Sequence, residues 1–278
     1  SGGGKVTVAA GATLKPSSVN GLRGPYIVYG TAVFSSFDTE AGFGLNNYGS
    51  VTINNASQVN GSGNQVWINN IGAVLTFKSS FAINADNTSF INNGDVSIAS
   101  NFNVWGNATI SNKKSITTGG NFSVGKGQIT NEGLFSAGGS ITIGGSTSFT
   151  NTCRTIAQKG FTINSGTLYN NGLLWAAGNA SNSTFTNNGN IINTGNSIIK
   201  TVQFTNWGNI TGNGYLYILG KSTTSGTVGT SGTTSDVLSI YTVNRTKTNQ
   251  IFDDQWGTVY PSAVYAQFPA PDTTNIYP

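Results

Sequence analysis

The chain has 278 residues, enough for one large β domain with a continuous core, yet only 8% of them are Asp, Glu, Lys or Arg, against about 25% in ordinary soluble domains. That excludes charged helical bundles and coiled coils, and the 38 glycines and some three dozen asparagines that fill the space are poor helix formers. Histidine and methionine are absent and cysteine occurs once, which removes histidine metal sites, Ser-His-Asp triads, CxxC pairs and intrachain disulfides before any motif is sought.

The opening SGGGKVTV has no initiator Met and reads as a processed or excised segment. No apolar run approaches the ~18 residues needed to cross a bilayer, so no transmembrane segment is expected. VTVAAGATL at 6–14 and YIVYGTAVF at 26–34 are strand-like, and residues 1–44 are read as N-terminal coils or a cap.

From residue 45 one phrase recurs nine times, apolar-x-Asn-x-Gly. Its asparagines are Asn47, Asn70, Asn92, Asn112, Asn131, Asn151, Asn170, Asn187 and Asn206, with Lys114 and Cys153 standing in two of the glycine places. The spacing is about twenty residues, within the range that signals a solenoid. Two more apolar columns keep phase. Four residues after the Asn stand Val51, Val74, Val96, Ile116, Phe135, Leu174, Ile191 and Ile210, with Thr155 failing. Further on come Phe81/Ile83, Phe102/Val104, Phe122/Val124, Ile141/Ile143, Phe161/Ile163 and Leu216/Ile218; the coil that begins at Asn170 lacks this column and reads as distorted. Three short apolar patches per repeat, with no three-and-four spacing sustained over ten positions, fit strands and not helices. The expected fold is all-β: a single-stranded parallel β-helix, or β-solenoid, with three strands and about twenty residues per coil, and a right-handed crossover as parallel connections prefer. Nine coils at about 4.8 Å each make a rod of roughly 43 Å.

The repeated asparagine has two readings. It points inward at a corner, where its amide donates and accepts along the axis as a structural ladder, or it merely tolerates a left-handed turn and faces solvent. Both are structural. Cys153 has no histidine to activate it, so a reactive thiol is not favoured.

The solenoid pattern, 45–220, gives way to a Ser/Thr/Gly-rich stretch read as a link at 221–236. The tail at 237–278 carries Phe252, Trp256, Tyr260, Tyr265, Phe268 and Tyr277 and four of the six prolines. It either caps its own last coil or adds a strand to a neighbour, and Phe252, Trp256, Tyr260, Tyr265 and Phe268 are the candidate subunit contacts.

A β-helix enzyme needs carboxylates gathered in one groove. Within the nine repeats only Asp86, Asp95 and Glu132 occur, at different phases of the coil, and no GGxGxD run offers calcium. No catalytic residue, metal or cofactor is expected. The net charge of +4 comes from scattered residues, so nucleic acid is not an expected partner. Trp207 and Tyr48, in equivalent slots after the repeat asparagine, are outward and are the candidates for stacking on sugar rings. The slot before the asparagine holds Thr130, Thr150, Thr186 and Thr205 but also Asn46, Asn69, Ile91, Ser111 and Tyr169, too ragged for an ice-binding face.

The phrases FTNNGNI, YNNGLL, FTNWGNI and ITNEGLF resemble the Asn/Gly-rich repeats of secreted, surface-exposed β-solenoid proteins of Bacteroidetes-type bacteria and, more loosely, filamentous adhesins. The resemblance covers residues 45–220 and is one of repeat style. It implies an extracellular or cell-surface location and no catalytic residues. The expectation is a non-enzymatic structural protein, an adhesin stalk or filament subunit, that associates end to end or holds a glycan or protein ligand. A carbohydrate-binding module is the alternative and a polysaccharide lyase a more distant one.

Overall fold

The structure, a computed structural model, describes residues 5–16, 20–22, 24–36, 38–39, 43–61, 63–179, 183–232, 237–243 and 250–265. Among these residues all regular structure is strand, and every strand pairing described is parallel. The chain is an all-β solenoid with about twenty residues per turn, and it divides into two units, Ser1–Gly138 and Gly139–Pro278.

Each coil runs in strand over three faces, the third and the following first being covered by one unbroken strand at Phe122–Asn131 and at Ile141–Asn151. In the first unit, Gln65–Asn69 lies on the first face, Val74–Phe77 on the second and Phe81–Ile83 on the third, and Thr88–Asn92 then returns to the first. The register carries Trp67 onto Phe90, Leu75 onto Val96 and Phe81 onto Phe102. Alternation does the sorting: along Thr88–Asn92 every second residue is buried, as a two-residue period requires. The second face has seven such strands in the first unit, from Thr13–Leu14 to Leu134–Ala137, and six in the second, from Arg154–Ala157 to Ala263–Tyr265.

No single coil can enclose a core, so the core is a stack of like side chains. Phe102 is fully buried, with ring centroids 5.4 Å from Phe81 and 5.2 Å from Phe122. In the second unit Phe161 and Phe185 stack 5.2 Å apart with planes 1° from parallel, and Phe204 follows at 5.8 Å. Phe252, read from the sequence as a subunit contact, belongs to this stack: it is buried 6.0 Å from Phe204, so an apolar ring with a place in its own core is not a surface contact.

The coils differ from the sequence reading in three places. First, the turn Asn69-Asn70-Ile71-Gly72-Ala73 closes with Ala73 N–H donating to Asn70 O at 3.0 Å, with Gly72 at φ +79°. This longer turn moves the pattern by one residue. Asn69 and Leu75 point inward, while Asn70 is half-buried and Val74 is exposed.

Second, Phe185-Asn187-Gly189 and Phe204-Asn206-Gly208 lie on the third face and not the first: Phe185 pairs with Phe161 and Asn187 with Ile163. The coil after Asn170 is complete, its third strand being Thr184–Asn187, and the residue above Asn170 is Asn193. Leu216 and Ile218 sit on the second face, above Ile199 and Thr201. The same phrase serves two corners because both make the same demand. Glycine allows close approach at most of these corners, with Lys114 and Cys153 taking the place in two coils: a Cβ on Gly208 would lie 2.0 Å from Gly189 O, and one on Gly133 2.2 Å from Lys114 O. Gly208→Ala is therefore expected to destabilise the second unit by about 1–3 kcal/mol, the usual cost of overpacking. The check is the urea midpoint, and an unmoved midpoint means the corner opens freely.

Third, the coils continue past residue 220. Within 221–236, Ser222–Thr224 stacks on the third face and Thr227–Val228 on the first. Leu238–Thr242 and Ala263–Tyr265 follow on the second face, Asp254–Gln255 on the third and Thr258–Val259 on the first. Composition hid these strands because Ser and Thr here occupy inward places that are aliphatic or aromatic lower in the unit.

Candidate surface sites and the buried amide ladders

Asparagine ends the first-face strand where the chain turns inward of the corner, and its amide lies along the axis. In the first unit Asn47 Nδ2 donates to Asn69 Oδ1 at 2.8 Å, Asn69 to Asn92 at 2.9 Å, Asn92 to Asn112 at 2.8 Å and Asn112 to Asn131 at 2.7 Å. Each rung's second proton goes to a second-face carbonyl of the next coil: Asn92 to Ser115 O and Asn112 to Leu134 O, both at 2.8 Å. These side chains are fully buried, so the ladder satisfies groups that would be costly alone. The only described non-glycine residue with positive φ is Asn87, so the ladder asparagines are not left-handed turn residues facing solvent. Asn70 is not a rung; its Nδ2 donates to Asn46 Oδ1 and Asn47 O at the rim.

The second unit holds two ladders. On the first-face corner Asn151 donates to Asn170 at 2.8 Å and Asn170 to Asn193 at 2.7 Å. On the third-face corner Asn187 donates to Asn206 at 2.7 Å and Asn206 to Thr224 Oγ1 at 3.0 Å. The nine asparagines are thus distributed over two corners, and the structure does not join Asn170 to Asn187.

The outward candidates lie apart. Tyr48, at the first-to-second corner of the first unit, is partly exposed and stacks on Tyr29 at 4.9 Å and 11°. Trp207, at the third-to-first corner of the second unit, is 58% exposed. The equivalence of their slots does not hold, because their phrases occupy different faces. Of the tail candidates, Trp256 is exposed, Tyr260 and Tyr265 are half-buried, and Phe268 lies outside the described residues.

Three features escaped the sequence reading. Trp-Gly occurs three times, at Trp105, Trp207 and Trp256, always at the third-to-first corner. In each, both backbone N–H groups donate to one carbonyl of the coil below: Ile83 O, Asn187 O and Thr224 O. On the third face of the second unit five successive outward places form a threonine column, Thr142, Thr162, Thr186, Thr205 and Thr223, with Asp254 in the sixth. The ragged threonine slot of the sequence mixed this column with first-face residues. The repeated Trp-Gly was visible in the sequence; the threonine column needed the register.

The third feature is on the outward side of the second face in the second unit. Trp175, Lys200, Tyr217 and Tyr241 lie on successive strands. Lys200 Nζ is 4.6 Å from the Trp175 ring centroid, and Tyr217 stacks on Tyr241 at 4.7 Å. Burial lowers the Lys200 ammonium from the ordinary lysine value, and burial together with Tyr241 raises the Tyr217 phenol.

Several described carboxylates have structural partners. Asp86 accepts from Asn107 N at 2.6 Å, Asp95 pairs with Lys114 at 2.7 Å, Asp254 pairs with Lys221 at 3.1 Å, and Asp253 accepts from Ser222 N and Oγ. Among the described residues no group of three or more Cys, Asp or Glu is placed to hold a metal ion, and no helix is long and apolar enough to cross a membrane. No family model matches the chain, and no curated protein and no solved structure matches it either.

Proposed function

We propose that the chain is a non-enzymatic, extracellular structural protein, a β-solenoid serving as the stalk of a cell-surface adhesin or as the subunit of a surface filament. The observation that supports this best is the set of buried amide ladders, one in the first unit and two in the second. A fold held rung to rung by asparagine amides and stacked rings needs neither disulfide nor metal, and its stability grows with each coil. Dispersed, paired carboxylates suit persistence more than turnover, and the resemblance of the repeats to Asn/Gly-rich surface proteins of Bacteroidetes-type bacteria agrees with this reading.

The filament form rests on strand edges. Val6–Val8 in the first unit and Thr258–Val259 in the second each pair with one strand among the described residues. Such an edge accepts a strand from another copy, and head-to-tail contact without closure yields a fibre. Electron microscopy of the concentrated full chain is expected to show linear arrays; particles that remain single at every concentration retire the filament form. Release of reducing ends or unsaturated sugars from a panel of polysaccharides would overturn the non-enzymatic reading.

A further inference from the structure

We propose that the third-to-first corner of the second unit is a binding track for a neutral, extended β-1,4-linked glycan lying along the coil axis, with Trp207 and Trp256 stacking on alternate sugars. The corner residues of three successive coils are Trp207, Ser225 and Trp256, fixed there by identical backbone bonds to Asn187 O, Asn206 O and Thr224 O. Two rungs separate the tryptophans by roughly 9–10 Å. A flat two-fold β-1,4 chain repeats every two sugars over a comparable length, so rings of the same orientation meet both indoles while the intervening sugar passes over the small Ser225.

The indoles are 58% and 71% exposed. A large apolar ring left in water at two matched places, each beside a glycine that holds the backbone close, is poorly explained by packing, and the face of such a ring suits the axial C–H groups of a sugar.

Both flanks of the corner carry polar side chains. On one side stand Thr205 and Thr223 of the threonine column. On the other lies a shallow groove in which Tyr169 and Ile192 alternate with Asn190, Asn209, Thr211 and Thr227, and Asn209 Nδ2 donates to Asn190 Oδ1 at 3.0 Å. Hydroxyls and amides in rows at the coil spacing meet the hydroxyls of a polymer of similar pitch. Charge selects the polymer class: among the described residues the ion pair beside the track, Lys221 and Asp254, is mutually neutralised at 3.1 Å. A neutral glycan fits and a uronate does not. Trp105 provides an internal control, since its corner neighbours on adjacent coils, Asn84 and Gly125, supply no second indole.

The track is independent of the stalk or filament reading, which stands whether or not a sugar binds. The test is retention of the full chain on insoluble cellulose and on chitin, the two arms separating a glucan from an N-acetylglucosamine polymer. It is followed by titration of tryptophan fluorescence with the soluble hexasaccharide of the retaining polymer. Trp207→Ala and Trp256→Ala are each expected to weaken binding about ten-fold, the double variant to abolish it, and Trp105→Ala to leave it unchanged. The disaccharide, too short to span both indoles, is expected to bind far more weakly than the hexasaccharide. Because both side chains are exposed, an unaltered urea midpoint shows that each variant folds, and Trp207→Phe keeps part of the affinity. Failure of both polymers to retain the chain overturns the proposal. So does equal loss in the Trp105 variant, or preferential low-salt binding to polygalacturonate.

Discussion

Phe102→Ala is expected to cost the first unit about 3–5 kcal/mol, the range for truncating a buried phenylalanine. The ring is fully buried, and it touches Phe81 and Phe122 above and below and Phe90 at 6.1 Å across the interior. A cavity at this level breaks a column, and no part of the neighbouring coils can collapse into it without giving up backbone register. Phe102→Leu, which keeps most of the volume, is expected to cost less than about 1.5 kcal/mol. Urea unfolding followed by circular dichroism and by tryptophan fluorescence measures both. Since repeat proteins need not unfold in one step, the two probes must be compared before a single free energy is assigned. An alanine variant within about 1 kcal/mol of the parent, less than the burial of the ring alone is worth, would show that the coils close over the gap and regain the lost contacts.

The second large effect separates two neighbours. Asn69→Leu is expected to destabilise by about 2–4 kcal/mol, because a buried amide that accepts from Asn47 and donates to Asn92 Oδ1 and Asp95 O is lost, leaving partners short of bonds in a dry interior. Asn70→Leu is expected to cost under about 1 kcal/mol, since Asn70 is half-buried and water replaces its contacts to Asn46 Oδ1 and Asn47 O. Urea midpoints of the two variants decide the matter. Equal losses, or a larger loss at Asn70, would mean that the axial ladder is not what holds this corner.

The same pair shows how far the sequence could be read. The nearly regular phrase made the corner and its glycine legible, yet in Ile68-Asn69-Asn70-Ile71-Gly72 two adjacent asparagines compete for one rung. The spacing favoured Asn70, and the added residue in the turn gave the place to Asn69. At Asn187 and Asn206 the ambiguity is larger. Their phrases match the others residue for residue, but they stand on the third face, where their amides bond to each other and to Thr224 and not to Asn170. Seventeen residues separate Asn170 from Asn187 in the chain, but the coil that begins at Asn170 is longer and returns to the same corner only at Asn193, 23 residues on. The misassigned face also obscured the track: once Thr186 and Thr205 are placed above Thr162 and below Thr223, the column is continuous and Trp207 and Trp256 fall on one edge.

What the sequence determined by itself is local. Alternation made strands, glycine and asparagine made corners, the lack of sustained three-and-four spacing excluded helices, and a period near twenty made a solenoid, because each of these follows from the conformational preferences and patterning of the chain itself. Only the tertiary structure decided which corner a phrase occupies, which of two asparagines carries a rung, that Ser222 and Thr224 continue the spiral, and which exposed rings share an edge. Those are matters of register between coils. They are set by which interior side chain finds its like one turn below, and two corners with the same local chemistry cannot be told apart until the coils have paired.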